Sequence, residues 1–373
     1  MSYKDALTRV IDEVVAPNAM GVDSTSRFPR EAVAALAEAG ILGLTVSESV
    51  GGGGQGLGRA ADVVERLAGV CGSTAMVVLM HYAGAVVIDN HGPEQVRKAI
   101  ASGQHLTTLA FSEAGSRSHF WAPQGTASAS ESDAAVRLDA RKSWVTSAGE
   151  ADSYVWSSRP VAGDGPMTLW LVPADAGGLA VAGTFDGLGL RGNGSTPVDG
   201  TGVVVARSAM LGGDGEGLDL ALAEVLPWFL VMSAAFSVGL MDAVTAETGA
   251  HLTSTRLVHL DQSLAEQPLV RVDHARMRIA TDQAAALLAD TVSALQAGRE
   301  DAMLRVLEVK AAAGEAAIAV TDLGMKLCGG AAFRKELGLE RRFRDARAAR
   351  VMAPTTDALL DFVGRAINGQ PLL

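Results

Sequence analysis

At 373 residues the chain exceeds what one compact core usually holds, so two or three subdomains are expected, with ample material for a buried site. A net charge of −11 excludes a broad phosphate-backbone footprint, and nucleic acid is not an expected partner. Two cysteines, Cys71 and Cys328, exclude a disulfide framework, supply no metal spacing and fit a reducing compartment. The opening Met1-Ser-Tyr-Lys-Asp-Ala has neither a basic n-region nor an apolar h-region. The longest apolar stretches, such as Leu226 to Leu240, are broken by small and polar side chains, so a cytoplasmic location without a membrane span is expected.

Three zones follow one another: residues 1–105 helical, 106–212 a β-domain, and 213–373 helical again. In the first, Leu7, Val10, Ile11 and Val14 share one helical face, and a second helix opens at Pro29 and closes at Gly40. In the second, Val136–Leu138, Trp144–Thr146, Tyr154–Trp156, Thr168–Val172 and Val203–Val205 are short β-rich runs separated by Gly, Pro, Asp and Ser, which predicts antiparallel strands. In the third, Ala284–Leu295 and Met303–Met325 predict long helices stopped between them at Gly298, and such helices pack as a bundle. The predicted class is α+β, and the α, β, α order excludes the alternating layout of a Rossmann domain.

The Gly51–Gly56 run formally satisfies GxGxxG, yet no acid follows between Leu67 and Ile88 to hold a ribose, so a flexible inter-helix loop is expected instead. The histidines form no HExxH pair, and no GxSxG elbow occurs, leaving a hydrolase unsupported. Arg341, Arg342, Arg344, Arg347 and Arg350 form a basic cluster that reads either as a solvated helix face or as a site for an anionic phosphate.

Four segments carry a resemblance to the FAD-dependent acyl-CoA dehydrogenase superfamily. Phe111-Ser112-Glu113-Ala-Gly115-Ser-Arg-Ser118 is similar to the family's strand-and-loop signature, and Lys142-Ser-Trp144-Val-Thr146 to its Lys-x-Trp-Ile-Thr strand. Cys328-Gly329-Gly330-Ala-Ala-Phe333 resembles its Gly-Gly-x-Gly-Phe turn, and Arg342-Phe-Arg344-Asp345 its closing Arg-Asp motif. The resemblance implies an N-terminal helical domain, a middle antiparallel β-domain and a C-terminal four-helix bundle, with FAD between the last two. A flavin has a polar edge and two apolar faces, which suits strand hydroxyls and an indole. By that resemblance Phe111, Ser112 and Thr146 serve the flavin edge, Trp144 its face and Ser118 the pyrophosphate. Arg256 and Gln267, eleven residues apart, match the pair that completes a neighbouring subunit's site, and Gly329, Gly330, Thr355 and Asp357 line the same cofactor. His259-Leu260 and Lys326 depart from the expected aromatic-glycine pair and glutamine, so the inter-subunit contacts differ in detail. A homo-oligomer, tetramer or dimer, is expected.

The catalytic glutamate of the family falls nine residues after the motif arginine, which is Ala353 here; the alternative position on the helix opening the bundle is Phe229. Neither side chain accepts a proton. A positioned base contributes on the order of 10² to 10⁴ in rate, so ordinary dehydrogenation of an acyl-CoA is expected to be slow. Asp357 would share the face of Ala353 if a helix started by then, which makes it the candidate substitute base. The resemblance therefore implies an oxidoreductase acting on an acyl-CoA or other acyl thioester without that glutamate, as a flavin-dependent oxygenase using O₂. Its alternatives are a dehydrogenase relying on Asp357 and a non-catalytic partner subunit. His119-Phe-Trp-Ala-Pro, rich in aromatics, points to a planar or bulky substrate.

Overall fold

In the computed structural model, which describes residues 2–116, 119–130 and 134–372, the chain falls into two units. One comprises Met1–Ala60, Met76–Asp186 and Arg191–Phe229; the other comprises Ala61–Ala75, Gly187–Leu190 and Leu230–Leu373.

In the first unit, Ser2 and Asp5 form a capping box that opens α1 (Tyr3–Val10). The helix does not continue at 3.6 residues per turn. A π-helical turn, Ile11–Val15, leads into α2 (Ala16–Thr25), and the wider turn buries Val15 where the sequence period pointed to Val14. Next come α3 (Arg30–Glu38), closed at Gly40, then α4 (Leu57–Ala68), α5 (Gly72–His91) and α6 (Glu94–Ala101). The glycine run between α3 and α4 is a packed turn rather than the flexible loop expected. Gly53 N–H donates to the Gly43 carbonyl at 3.0 Å, Gln55 N–H to that of Leu44 at 3.0 Å, and a Cβ on Gly52 would stand 2.2 Å from the Val46 carbonyl oxygen. From α5, His81 and Tyr82 reach back to the Leu42 and Ile41 carbonyls at 3.1 and 2.5 Å.

The β-zone forms two four-stranded sheets. One orders β1 (Thr107–Ala110), β4 (Ser153–Ser158), β5 (Thr168–Pro173) and β8 (Met210–Leu211). The other orders β2 (Thr126–Ala129), β3 (Ala135–Val145), β7 (Thr196–Ala206) and β6 (Leu179–Val181). Two of the expected runs, Val136–Leu138 and Trp144–Thr146, belong to one continuous β3 and its end. The pairing is antiparallel except that β1 runs parallel to β4, because the chain leaves for β2 and β3 between them. Strand β3 alternates inward Val136, Leu138, Ala140 and Lys142 with outward residues, the period-2 pattern of a half-buried strand. Trp156 and Trp170, opposite each other on β4 and β5, are both buried. Short α7 (Gly217–Leu220) and a second π-helical turn, Ala221–Val225, lead to α8 (Leu226–Ser254).

In the second unit, α8 meets α9 (Pro268–Ala297) and α10 (Ala302–Ala332) closely enough that a Cβ on Gly324 would approach Val244 at 2.8 Å and Met277 at 3.6 Å. Helix α9 ends, as the sequence predicts, on left-handed Gly298. Helix α13 (Thr356–Ile367) packs on α10 as the fourth long member of the bundle. A hairpin of β9 (Arg256–Leu257) and β10 (Gln262–Ser263) joins α8 to α9, while α11 (Leu339–Ala346) and α12 (Ala348–Val351) join α10 to α13.

Two helical stretches, Gly72–His91 and Gly217–Ser254, are long and apolar enough to cross a membrane, which the interrupted apolar runs did not suggest. Of their apolar windows 89% and 78% is buried against the rest of the protein, the behaviour of core helices.

Candidate functional site

On the first unit the site builds outward from a buried ion pair. Glu113 and Lys142 are nearly inaccessible, and the ammonium donates to the carboxylate at 2.6 Å, to the Ser157 carbonyl at 2.7 Å and to the Ser157 hydroxyl at 2.9 Å. The same carboxylate accepts Gly125 N–H at 2.9 Å and the Gln124 N–H. Burial draws the Lys142 ammonium down to about 8, against the opposing pull of Glu113. The pair locks the segment after β1 onto β3, where Ser143 N–H donates to the Ser112 carbonyl at 2.9 Å. Ser112 and Phe111, both half-buried, thereby lie beside the strand that carries Trp144.

A register shift between Lys142 and Val145 then turns the strand over. Trp144 takes φ 57°, and the residue is 69% exposed, so it is no core residue. Its only described aromatic neighbour is Phe185, edge-on at 6.4 Å. Thr146, two residues on, is buried and shares a 2.9 Å hydrogen bond with Ser195. Beside it the hydroxyls of Ser147 and Thr196 are buried without a hydrogen-bond partner among the described residues. An outward indole near orphaned hydroxyls combines an apolar plate with neutral donors and acceptors, and it fits a flat heteroaromatic group with a polar edge. Ser118, expected on the pyrophosphate, lies outside the described residues.

On the second unit Gly329 takes φ 52°, ψ −131°, a conformation open only to glycine, and a Cβ on Gly329 or Gly330 would meet nothing within 4 Å. Bare backbone there faces open space, which fits close approach of a bulky group. Lys326, in place of the expected glutamine, pairs with Asp273 at 2.7 Å. Arg256, exposed, is bound by Asp261 across its own hairpin, and half-buried Gln267 donates to Gln262 at 2.8 Å, so both are already engaged.

The arginine cluster is engaged with protein partners: Arg350 is exposed and pairs with Glu315, Arg347 pairs with Asp322, and the other three are tied into the fold. Arg341 and Arg342 are buried: Arg342 forks onto Glu247 at 2.8 Å and onto the Gly69 carbonyl at 2.7 Å, and Arg341 reaches the Val70 carbonyl at 2.9 Å. Arg344 binds Glu340 at 2.7 Å and the Leu188 carbonyl at 3.1 Å. Asp345 accepts Leu190 N–H at 2.6 Å, leaving no room for a Cβ on Gly72, 2.7 Å away. Arg341 and Arg342 satisfy carbonyls just past the end of α4, and Arg344 and Asp345 hold the backbone of Leu188 and Leu190.

Ala353 is half-buried in the turn between α12 and α13. Helix α13 begins only at Thr356, with Thr355 as its N-cap accepting Ala358 N–H at 3.4 Å. Asp357 is therefore an exposed first-turn acid and does not stack beneath Ala353 on a helix face, contrary to expectation. Phe229 is buried in α8. The partners missed in the sequence are Ser195, Thr196 and Phe185 around β3, whose residue types carry no signal of their own. Lys310 was missed as well, although a lone lysine in the run Val309-Lys-Ala-Ala-Ala was visible.

Family models for the N-terminal, middle and C-terminal domains of acyl-CoA dehydrogenase match residues 2–103, 108–203 and 215–368. A short-chain specific acyl-CoA dehydrogenase of Clostridium acetobutylicum is 25% identical over 350 residues, covering 92% of this chain and 91% of that protein. Among solved structures, the FAD complex of PigA aligns with a TM-score of 0.90 at 19% identity, covering 98% of this chain and 96% of that one. The prolyl acyl carrier protein oxidase AnaB aligns with a TM-score of 0.88 at 18% identity, covering 98% of each chain.

Proposed function

From the premise that the chain belongs to the acyl-CoA dehydrogenase family, matched by all three of its domains, we propose that it oxidises an acyl thioester or related substrate without the usual carboxylate base, as a flavin-dependent oxygenase. It is an oxidoreductase of that family, and FAD is the family's cofactor. When bound, FAD supplies hydride acceptance and, once reduced, reaction with O₂. On the first unit Trp144 would cover a ring face, with Ser112, Thr146 and the unpaired hydroxyls of Ser147 and Thr196 along its edge.

The observation that carries the oxygenase reading is Ala353. A methyl group stands where the family's proton acceptor is expected, and the nearest acid in sequence, Asp357, is exposed in the first turn of α13. Without an acceptor the α-proton of a thioester has nowhere to go at a useful rate, whereas oxygen activation needs none. The fold accommodates a protein titled an oxidase as readily as dehydrogenases. The same reading makes the chain a homo-oligomer, tetramer or dimer, which the exposed Val258, Leu260 and Leu269 around the β9–β10 hairpin support.

The test is to mix FAD-loaded protein anaerobically with a panel of acyl-CoAs, and separately to reduce the flavin chemically and add labelled O₂ with the same thioesters. Labelled oxygen in the acyl product, with little anaerobic bleaching, supports the proposal. Rapid bleaching in the absence of oxygen overturns it. A colourless chain that no FAD reconstitutes would instead identify a partner subunit.

A further inference from the structure

Lys310 lies in the middle of α10 and is 1% exposed, with no ion pair to any carboxylate among the described residues. Three carbonyls converge on its ammonium: Ala349 at 3.2 Å, Met352 at 3.0 Å and Pro354 at 2.7 Å. The first two belong to α12 and its C-cap, where helical carbonyls run out of backbone donors and the helix dipole is negative. The third lies on the far side of Ala353. A lysine's three N–H bonds are thus all used, and they span the short turn from both ends.

Burying an ammonium without a counter-ion is costly, and desolvation draws this one down to about 7. A methionine of similar length would fill the space without that cost. What the lysine adds is three directed donors, and they all point at one segment.

We propose that Lys310 is a positioning residue of the substrate site: by holding the carbonyls of Ala349, Met352 and Pro354 it fixes the turn that presents Ala353. The role at the substrate site rests on the proposed function, while the clamp itself does not. Removing the ammonium orphans carbonyls at both ends of the turn, so residues 351–358 gain freedom although the long helices keep their packing.

Lys310→Met is the direct test, read in two ways. Amide hydrogen exchange on the flavin-free chain should speed up about tenfold or more in residues 351–358 relative to the rest of α10. Titration of the FAD-loaded protein with an acyl-CoA, followed by the flavin's visible spectrum, should show weakening by about tenfold at unchanged FAD content. Lys310→Gln keeps two donors on a shorter stem and should fall between wild type and Met in both readouts, which preserves the test if the Met variant does not fold. Unchanged exchange at 351–358 in a folded variant overturns the clamp. Faster exchange with unaltered acyl-CoA affinity overturns the positioning role. A chain that binds no FAD defeats the proposed function, yet the exchange experiment still decides whether Lys310 holds the turn.

Discussion

Ala353 and Trp144 are the single residues on which the proposed function rests most directly. A tryptophan 69% exposed at a strand end is held outward by a positive φ and a register shift, neither of which a tryptophan adopts for packing alone. Sequence spacing gave the residue types at these places, because a Trp and a Thr two apart on a strand face the same side. It could not give the bulge, which leaves Trp144 exposed while Thr146 is buried. On the proposed function the chemistry at Ala353 is limited by a missing carboxylate, so restoring one should restore function of the ordinary kind. Ala353→Glu is expected to raise the anaerobic rate of flavin bleaching by an acyl-CoA at least about 10²-fold over wild type. Stopped-flow absorbance checks this, and equal rates in the two proteins would show that the turn does not present residue 353 to the substrate.

At the scale of elements, α11 shows how a charged sequence can be structural. Its three arginines give it the look of an exposed helix, and the sequence carries no sign that the carbonyls of Gly69, Val70 and Leu188 supply their partners, or the Leu190 amide that of Asp345, from far away in the chain. Arg342→Ala removes a fork on Glu247, whose carboxyl burial already pushes its pKa up against the pull of that guanidinium. Leaving it unpaired should destabilise the protein by about 2–4 kcal/mol, read as a lower urea midpoint at unchanged slope. An unaltered midpoint would mean that solvent replaces the pair at no cost. The π-helical turns at Ile11–Val15 and Ala221–Val225 were likewise invisible, since one added residue per turn shifts the buried face without altering composition.

For the whole molecule, the division into helical, β and helical zones was legible because the hydrophobic period changes from 3.6 to 2 and back, and Gly298 stops α9 where the sequence placed the stop. What the period could not reveal was the parallel pairing of β1 with β4 or the contacts that join distant segments of the first unit, such as His81. That imidazole is fully buried, accepts Thr107 N–H at its Nδ1 at 3.2 Å and donates from Nε2 to Leu42, so only the neutral form fits. Burial holds its pKa at about 4 against an ordinary value of 6.5. Its contribution is therefore complete above pH 6.5 and is lost as pH falls through 4, since the unfolded chain takes up the proton first. About 3 kcal/mol of unfolding free energy should disappear over that window by urea titration, and His81→Gln should flatten the slope. Parallel profiles for the two proteins would contradict the assignment.

The outward indole of Trp144 and the hydroxyls beside the end of β3 matter only if a flavin binds to them. Titration of flavin-free protein with FAD, monitored by visible absorbance and flavin fluorescence, tests this directly. We predict saturation at one FAD per chain with a perturbed flavin spectrum, and markedly weaker binding by Trp144→Ala at unchanged fold. Wild-type protein that leaves the spectrum of free FAD unaltered at saturating concentration would contradict the assignment of this site.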